Sequence, residues 1–142
     1  MGQRRQGRIV ALQILYELDV QDGFGELELT LERHFEHVDR SASCEVRQHA
    51  EALCRGVVGQ LNELDRSIER AAKNWRMARM SRVDRNVLRL ASYELIHCPD
   101  VPASVAINEA VEIGRQFGAE ESAGFINGVL GHMAEEQRDS GD

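Results

Sequence analysis

An all-α fold is what this sequence predicts, and three observations predict it. Apolar residues recur every three to four positions through most of the chain. Sustained apolar/polar alternation, which a half-buried strand needs, occurs nowhere. The two prolines both fall in the short stretch Cys98-Pro99-Asp100-Val101-Pro102. About seven helices in two packed bundles account for the pattern, within one domain over 1–142 whose sub-bundles cover roughly 1–80 and 81–138.

The first helix runs from about Arg4 to Val20. Its apolar residues Ile9, Val10, Leu12, Ile14, Leu15, Tyr16 and Leu18 cover more than one face, which predicts a central, largely buried element. Gln21-Asp22-Gly23 stops it. A second helix from about Phe24 to Val38 offers Leu27, Leu31, Phe35 and Val38 at helical spacing. Ser41 to Ser43 can cap a third, about Cys44 to Gln60, whose stripe is Val46, Ala50, Leu53, Cys54, Val57 and Val58, with Gly56 and Gly59 weakening its end. Asn62 is placed to cap a fourth, through about Lys73, followed by the aperiodic linker Asn74 to Met80.

Ser81-Arg82-Val83-Asp84 fits a capping box that opens a fifth helix to about His97. Val83, Val87, Leu90, Ala91 and Leu95 form its expected inner face. Arg82, Arg85 and Arg89, at i, i+3 and i+7, are expected to form a separate basic stripe. Asp100-Val101-Pro102 starts a sixth helix with Ala106, Ala110, Ile113 and Phe117, and Gly118 ends it. Glu120-Glu121-Ser122 opens the last, with a core stripe of Ile126, Val129, Leu130 and Met133. The polar tail Glu135 to Asp142 is expected to fray.

Composition excludes several classes. The chain has no apolar run long enough to span a membrane and no signal-peptide core, which predicts a cytoplasmic protein. Cys44, Cys54 and Cys98 form no CxxC and read as reduced thiols. His34 and His37 stand one turn apart without a second ligand pair, so no metal and no cofactor are expected. Neither a G-x-S-x-G elbow nor a phosphate-binding glycine loop is present, which argues against catalysis. Gly124 and Gly128 make a GxxxG whose expected role is close helix packing. Glu120-Glu121 and Glu135-Glu136 read as solvated helix ends.

The net charge of −7 conceals an uneven distribution. Arg4, Arg5 and Arg8 stand in an N-terminal stretch without acids. Segment 66–89 holds Arg66, Arg70, Lys73, Arg76, Arg79, Arg82, Arg85 and Arg89 against only Glu69 and Asp84. Arginine offers planar, bidentate contacts to phosphate and stacks on unpaired bases, so Arg4, Arg5 and Arg8 are either an RNA contact or solubilising charge. Aromatic rings can stack on unpaired bases too. Phe117 fits core and surface equally, whereas Phe125 falls out of phase with the last core stripe and points to the surface.

Longer matches carry a resemblance. Arg4-Arg5, Arg8 and Ala11-Leu12-Gln13-Ile14-Leu15-Tyr16 come first, then Val83-Asp84-Arg85 and Leu88 to Leu95. Asp100-Val101-Pro102 with Val105 to Glu112, Phe117-Gly118-Ala119-Glu120-Glu121-Ser122 and Phe125 to Leu130 complete the order. Over nearly the whole chain the sequence resembles the NusB family of transcription antitermination factors. The resemblance implies an all-helical, non-catalytic protein that pairs with the ribosomal protein NusE on single-stranded boxA RNA of nascent ribosomal RNA transcripts. There, with other Nus factors, it supports read-through by RNA polymerase. It implies an RNA surface at Arg4, Arg5, Arg8, Phe117, Glu121 and Phe125, and a NusE contact at Tyr16, Asp84 and Arg85. Ala123-Gly124 departs from relatives that carry larger basic or imidazole side chains there. The alternatives are a detached NusB-like RNA-binding module serving a ribosomal RNA methyltransferase, and a helical adaptor or homodimer.

Overall fold

The computed structural model describes residues 2–73 and 75–140, with the backbone alone at 140. Asn74, in the predicted linker, and Gly141 and Asp142, at the end of the predicted tail, lie outside the described residues. Seven α-helices and no strand are found among those described: α1 Gln3–Val20, α2 Leu27–Arg33, α3 Cys44–Gly59, α4 Leu61–Ala71, α5 Arg82–His97, α6 Ala103–Phe117 and α7 Ser122–Ser140. They group into two units, Met1–Gly59 and Gln60–Asp142. The division falls earlier than the boundary near residue 80 that the sequence suggested, because α4 packs on α5 and α7.

In the first unit α1 packs chiefly against α3, and α2 touches both. Ala11, Ile14, Leu15 and Leu18 of α1 lose all solvent exposure, as do Ala50, Cys54 and Val57 of α3. Each fully buried leucine or isoleucine contributes about 1.5–3 kcal/mol. The two helices come close at Gly7, where a Cβ would meet the His49 ring, and Cys54 Sγ donates to the Ala11 carbonyl at 3.7 Å. The stop after α1 is a Schellman turn: Gly23 N–H donates to Leu18 O at 2.9 Å and Asp22 N–H to Asp19 O at 3.1 Å, with Asp22 in the left-handed region at φ 51°. Ser43 caps α3 as expected, its Oγ accepting from Val46 N–H at 3.2 Å.

The second predicted helix is three pieces: a 3₁₀ turn Phe24–Glu26, then α2, then a π turn His34–Val38. A π turn takes in more residues per revolution than an α turn, so Val38 does not return to the face of Phe35. Phe35 is buried, whereas Val38 is 72% exposed and leaves the predicted stripe.

In the second unit α5 is central, packed by α4, α6 and α7. Its N-terminus is the predicted cap, with Ser81 Oγ accepting from Asp84 N–H at 3.1 Å. The predicted basic stripe does not form. Arg89 is buried, donating through Nε and Nη2 to the two Asp65 carboxylate oxygens at 2.8 and 3.0 Å, and through Nη1 to Asn86 Oδ1 at 2.9 Å. Three neighbouring helices leave α5 almost no solvent face, so an arginine opposite the apolar stripe still lands inside. Leu95, predicted inward, is half-buried.

Three further expectations change. Asn62 lies inside α4, and Gln60 occupies the N-cap without a side-chain bond. Gly124 and Gly128 are exposed with open space where a Cβ would stand, so the GxxxG mediates no close packing. The contact between α6 and α7 instead tightens at Gly114, against Ile126. The tail expected to fray continues α7 through Ser140. The core stripe of α7 is as predicted, with Ile126, Val129, Leu130 and Met133 all buried.

Candidate nucleic-acid interface

Met77, in the linker before α5, is tied to both neighbouring helices. Met77 N–H donates to Glu69 Oε2 of α4 at 2.8 Å, and the Met77 carbonyl accepts from Arg85 Nη1 of α5 at 3.3 Å. Both anchors hold Met77, which opens a 3₁₀ turn, Met77–Arg79, and Met77 and Met80 are buried. The backbone is thereby held at Met77, while Trp75 is left 52% exposed and Arg76 and Arg79 reach solvent.

Opposite this linker, the start of α7 presents Phe125. Its ring meets Trp75 edge to face, centroids 6.1 Å apart at 68°. Trp75, Arg79, Met80, Ser81, Asp84, Ala119, Glu121 and Phe125 enclose a cavity of about 480 Å³, within the roughly 300–1,000 Å³ range of ligand pockets. Asp84 Oδ1 is itself buried from solvent and finds no hydrogen-bond partner among the described residues.

Three sequence-predicted residues, Asp84, Glu121 and Phe125, therefore share one cavity. Phe117, for which core and surface were both open, is 39% exposed at the C-terminus of α6. Gly118 follows it, and a Cβ there would collide with Ser122 and with the Gly114 carbonyl. Ser122 Oγ holds this turn by accepting from Ala119 N–H at 2.9 Å. The turn sets the position of Glu121 and Phe125.

The remaining predicted residues lie on α1 in the first unit, apart from Arg85, which spends one donor on Met77 O. Arg4 is exposed and Arg5 half-buried, while Arg8 is only 4% exposed and already engaged by a partner. Tyr16 is 41% exposed. Trp75 and Arg79 were missed because their segment has no period. The signal for them was a tryptophan standing inside the more basic of the two positive blocks. No group of three or more potential metal ligands occurs among the described residues.

A family model described as the NusB family matches residues 5–135. This chain belongs to the NusB family. A relative named transcription antitermination protein NusB, from Geobacter sp. (strain M21), is 44% identical over 94% of this chain and 95% of its own. Among solved structures, NusB of T. maritima is 37% identical, with a TM-score of 0.83 over 94% of this chain and 91% of that one. A chain from a crystal structure of the antitermination factors NusB and NusE in complex with double-stranded RNA is 24% identical, TM-score 0.85, over 96% of this chain and 98% of that one. This last likeness bears on the fold, and the NusB fold is the one described above.

Proposed function

We propose that this chain is a transcription antitermination factor that binds boxA RNA of nascent ribosomal RNA transcripts together with NusE, and supports read-through by RNA polymerase with the other Nus factors. The observation that carries this reading is the match to the NusB family over residues 5–135, with a relative of that name at 44% identity over almost the full length of both chains. It acts by binding and transforms no substrate. No helix among the described residues is long and apolar enough to cross a membrane, and transcription puts its work in the cytoplasm.

The RNA contact we assign to Arg4, Arg5, Phe117, Glu121 and Phe125. Solvent access of Arg4 and Phe117 supports this. Arg8, also part of the RNA surface the resemblance implies, is buried and already engaged, so we leave it out of the contact. The NusE contact we assign to Tyr16, Asp84 and Arg85, the first of which leaves its ring open to solvent. An acidic protein can hold RNA when a few arginines cluster and a basic partner completes the positive surface, so binding is expected to be cooperative.

A mobility shift with native and scrambled boxA RNA, with and without NusE, tests the reading. Retention of the native sequence, strengthened by NusE, is expected. Equal shifts for both RNAs would overturn it.

A further inference from the structure

We propose that His49 is a positioning residue for RNA binding: its ring, packed against Gly7, holds the first two turns of α1 helical and in place, and so sets where Arg4 and Arg5 stand. The inference rests on the RNA-binding reading above and names what prepares its arginine contact.

Local rules work against a helix at this end of α1. Gly2 occupies the N-cap without a side-chain hydrogen bond, and the first turn contains no acidic residue. Arg4 and Arg5 place two cations beside the open N–H groups of a helix N-terminus, where the dipole favours anions. Gly7 follows in the second turn, and glycine is among the poorest formers of a helix interior. In α5, by contrast, Ser81 caps the first turn and Asp84 stands in it. The chain is nevertheless helical from Gln3.

Packing supplies what the local sequence lacks. Gln3, Arg4 and Gln6 are exposed and Arg5 is half-buried, which makes Gly7 the first buried residue of α1. A Cβ on Gly7 would stand 2.5 Å from His49 Cδ2 and 3.1 Å from His49 Cβ and Cγ. The imidazole therefore fills the space that any other residue at position 7 would need, and the glycine that weakens the helix is also what admits the ring. Arg8, buried and engaged, is the next tie.

Gly7 stands three residues after Arg4 and two after Arg5, so a backbone shift there carries the turn on which both guanidinium groups ride. A turn already ordered presents its arginines without the conformational entropy that a frayed segment loses on binding. The contact between Gly7 and His49 thus acts on RNA through Arg4 and Arg5, and touches no nucleotide itself.

An exchange of side-chain size between the two positions tests this. In the full chain with NusE present, boxA affinity, its log–log salt slope, amide hydrogen exchange and thermal unfolding are measured for Gly7→Ala, His49→Ala and the two combined. Gly7→Ala raises helix propensity, so an effect on helix stability alone gives equal or tighter binding. The proposal gives the reverse: about 10-fold weaker binding, the scale of one lost charge-assisted hydrogen bond, with the slope magnitude lower by about 0.7, one single-strand phosphate. His49→Ala should weaken binding to a similar degree and speed exchange at Gln6, Gly7 and Arg8, while Ile14 and Leu15 keep their protection. Combining the two substitutions puts a methyl group where the ring stood and should return affinity and slope most of the way to the wild type. Unchanged affinity in both single variants, or weaker binding with an unchanged slope, overturns the proposal and leaves the RNA-binding reading standing. A combined variant no better than either single one overturns it too, as does faster exchange throughout α1 with a lower unfolding temperature, which would make His49 an ordinary core contact. An unchanged slope for Arg4→Ala with Arg5→Ala overturns both the proposal and the assignment of those arginines to RNA.

Discussion

Arg89 separates a surface cation from a structural one, and its replacement measures the difference. The guanidinium is 7% exposed and makes two bonds to Asp65, whose own side chain keeps 25% exposure, plus one to Asn86 Oδ1. Removing one member of a buried ion pair costs about 3–5 kcal/mol, because the partner charge is left behind in a medium that solvates it badly. Water still reaches part of Asp65, which lowers the expected cost of Arg89→Met to about 2–4 kcal/mol. With a urea slope of about 1–3 kcal/mol per molar, the midpoint should fall by roughly 1–2 M. Trp75 lies in the same unit, so its fluorescence follows this transition. Asp65→Leu combined with Arg89→Met removes both charges and should recover most of the loss. RNA affinity of the folded single variant should be unchanged. A loss of stability below about 1 kcal/mol accompanied by weaker RNA binding would refute the reasoning and restore Arg89 to an RNA-facing stripe.

Four other outcomes are expected. Arg4→Ala with Arg5→Ala should lower the magnitude of the log–log salt slope of boxA binding by about 1.4, at roughly 0.7 per single-strand phosphate; an unchanged slope removes both from the RNA site. Burial holds the His34 imidazole below its usual value, against the opposing charges of Asp39 and Glu17. The fold therefore favours the neutral ring, and its contribution is complete above the unfolded value near about 6.5 and is lost as pH falls from there through the lower folded value. Urea midpoints measured between about pH 7 and pH 5 should drop less for His34→Gln than for the wild type, and parallel drops would contradict this. Gly118→Ala should cost about 1–3 kcal/mol in thermal unfolding, since the added carbon meets Ser122 and a backbone carbonyl; a neutral result would mean that the turn can open. Alkylation followed by mass spectrometry should modify exposed Cys44 in the native protein and Cys54 only after unfolding, because burial both hides the Cys54 thiol and pushes its pKa up.

Local rules wrote much of this molecule into its sequence. Helix periodicity, the Ser43 and Ser81 caps and the Gln21-Asp22-Gly23 stop depend on neighbours within a turn or two, so they were legible without any partner in view. The core stripe of α7 was legible for the same reason. Whether a residue off the apolar stripe meets water depends instead on how many helices surround its own. Three helices around α5 turned Arg89 from a surface charge into a buried one, and an absent neighbour left Gly124 and Gly128 in open space. Asp84, Glu121 and Phe125 were named individually from the sequence. Their convergence on one cavity with Trp75 required α7 to fold back against α5, since contacts between residues far apart in the chain have no local signature.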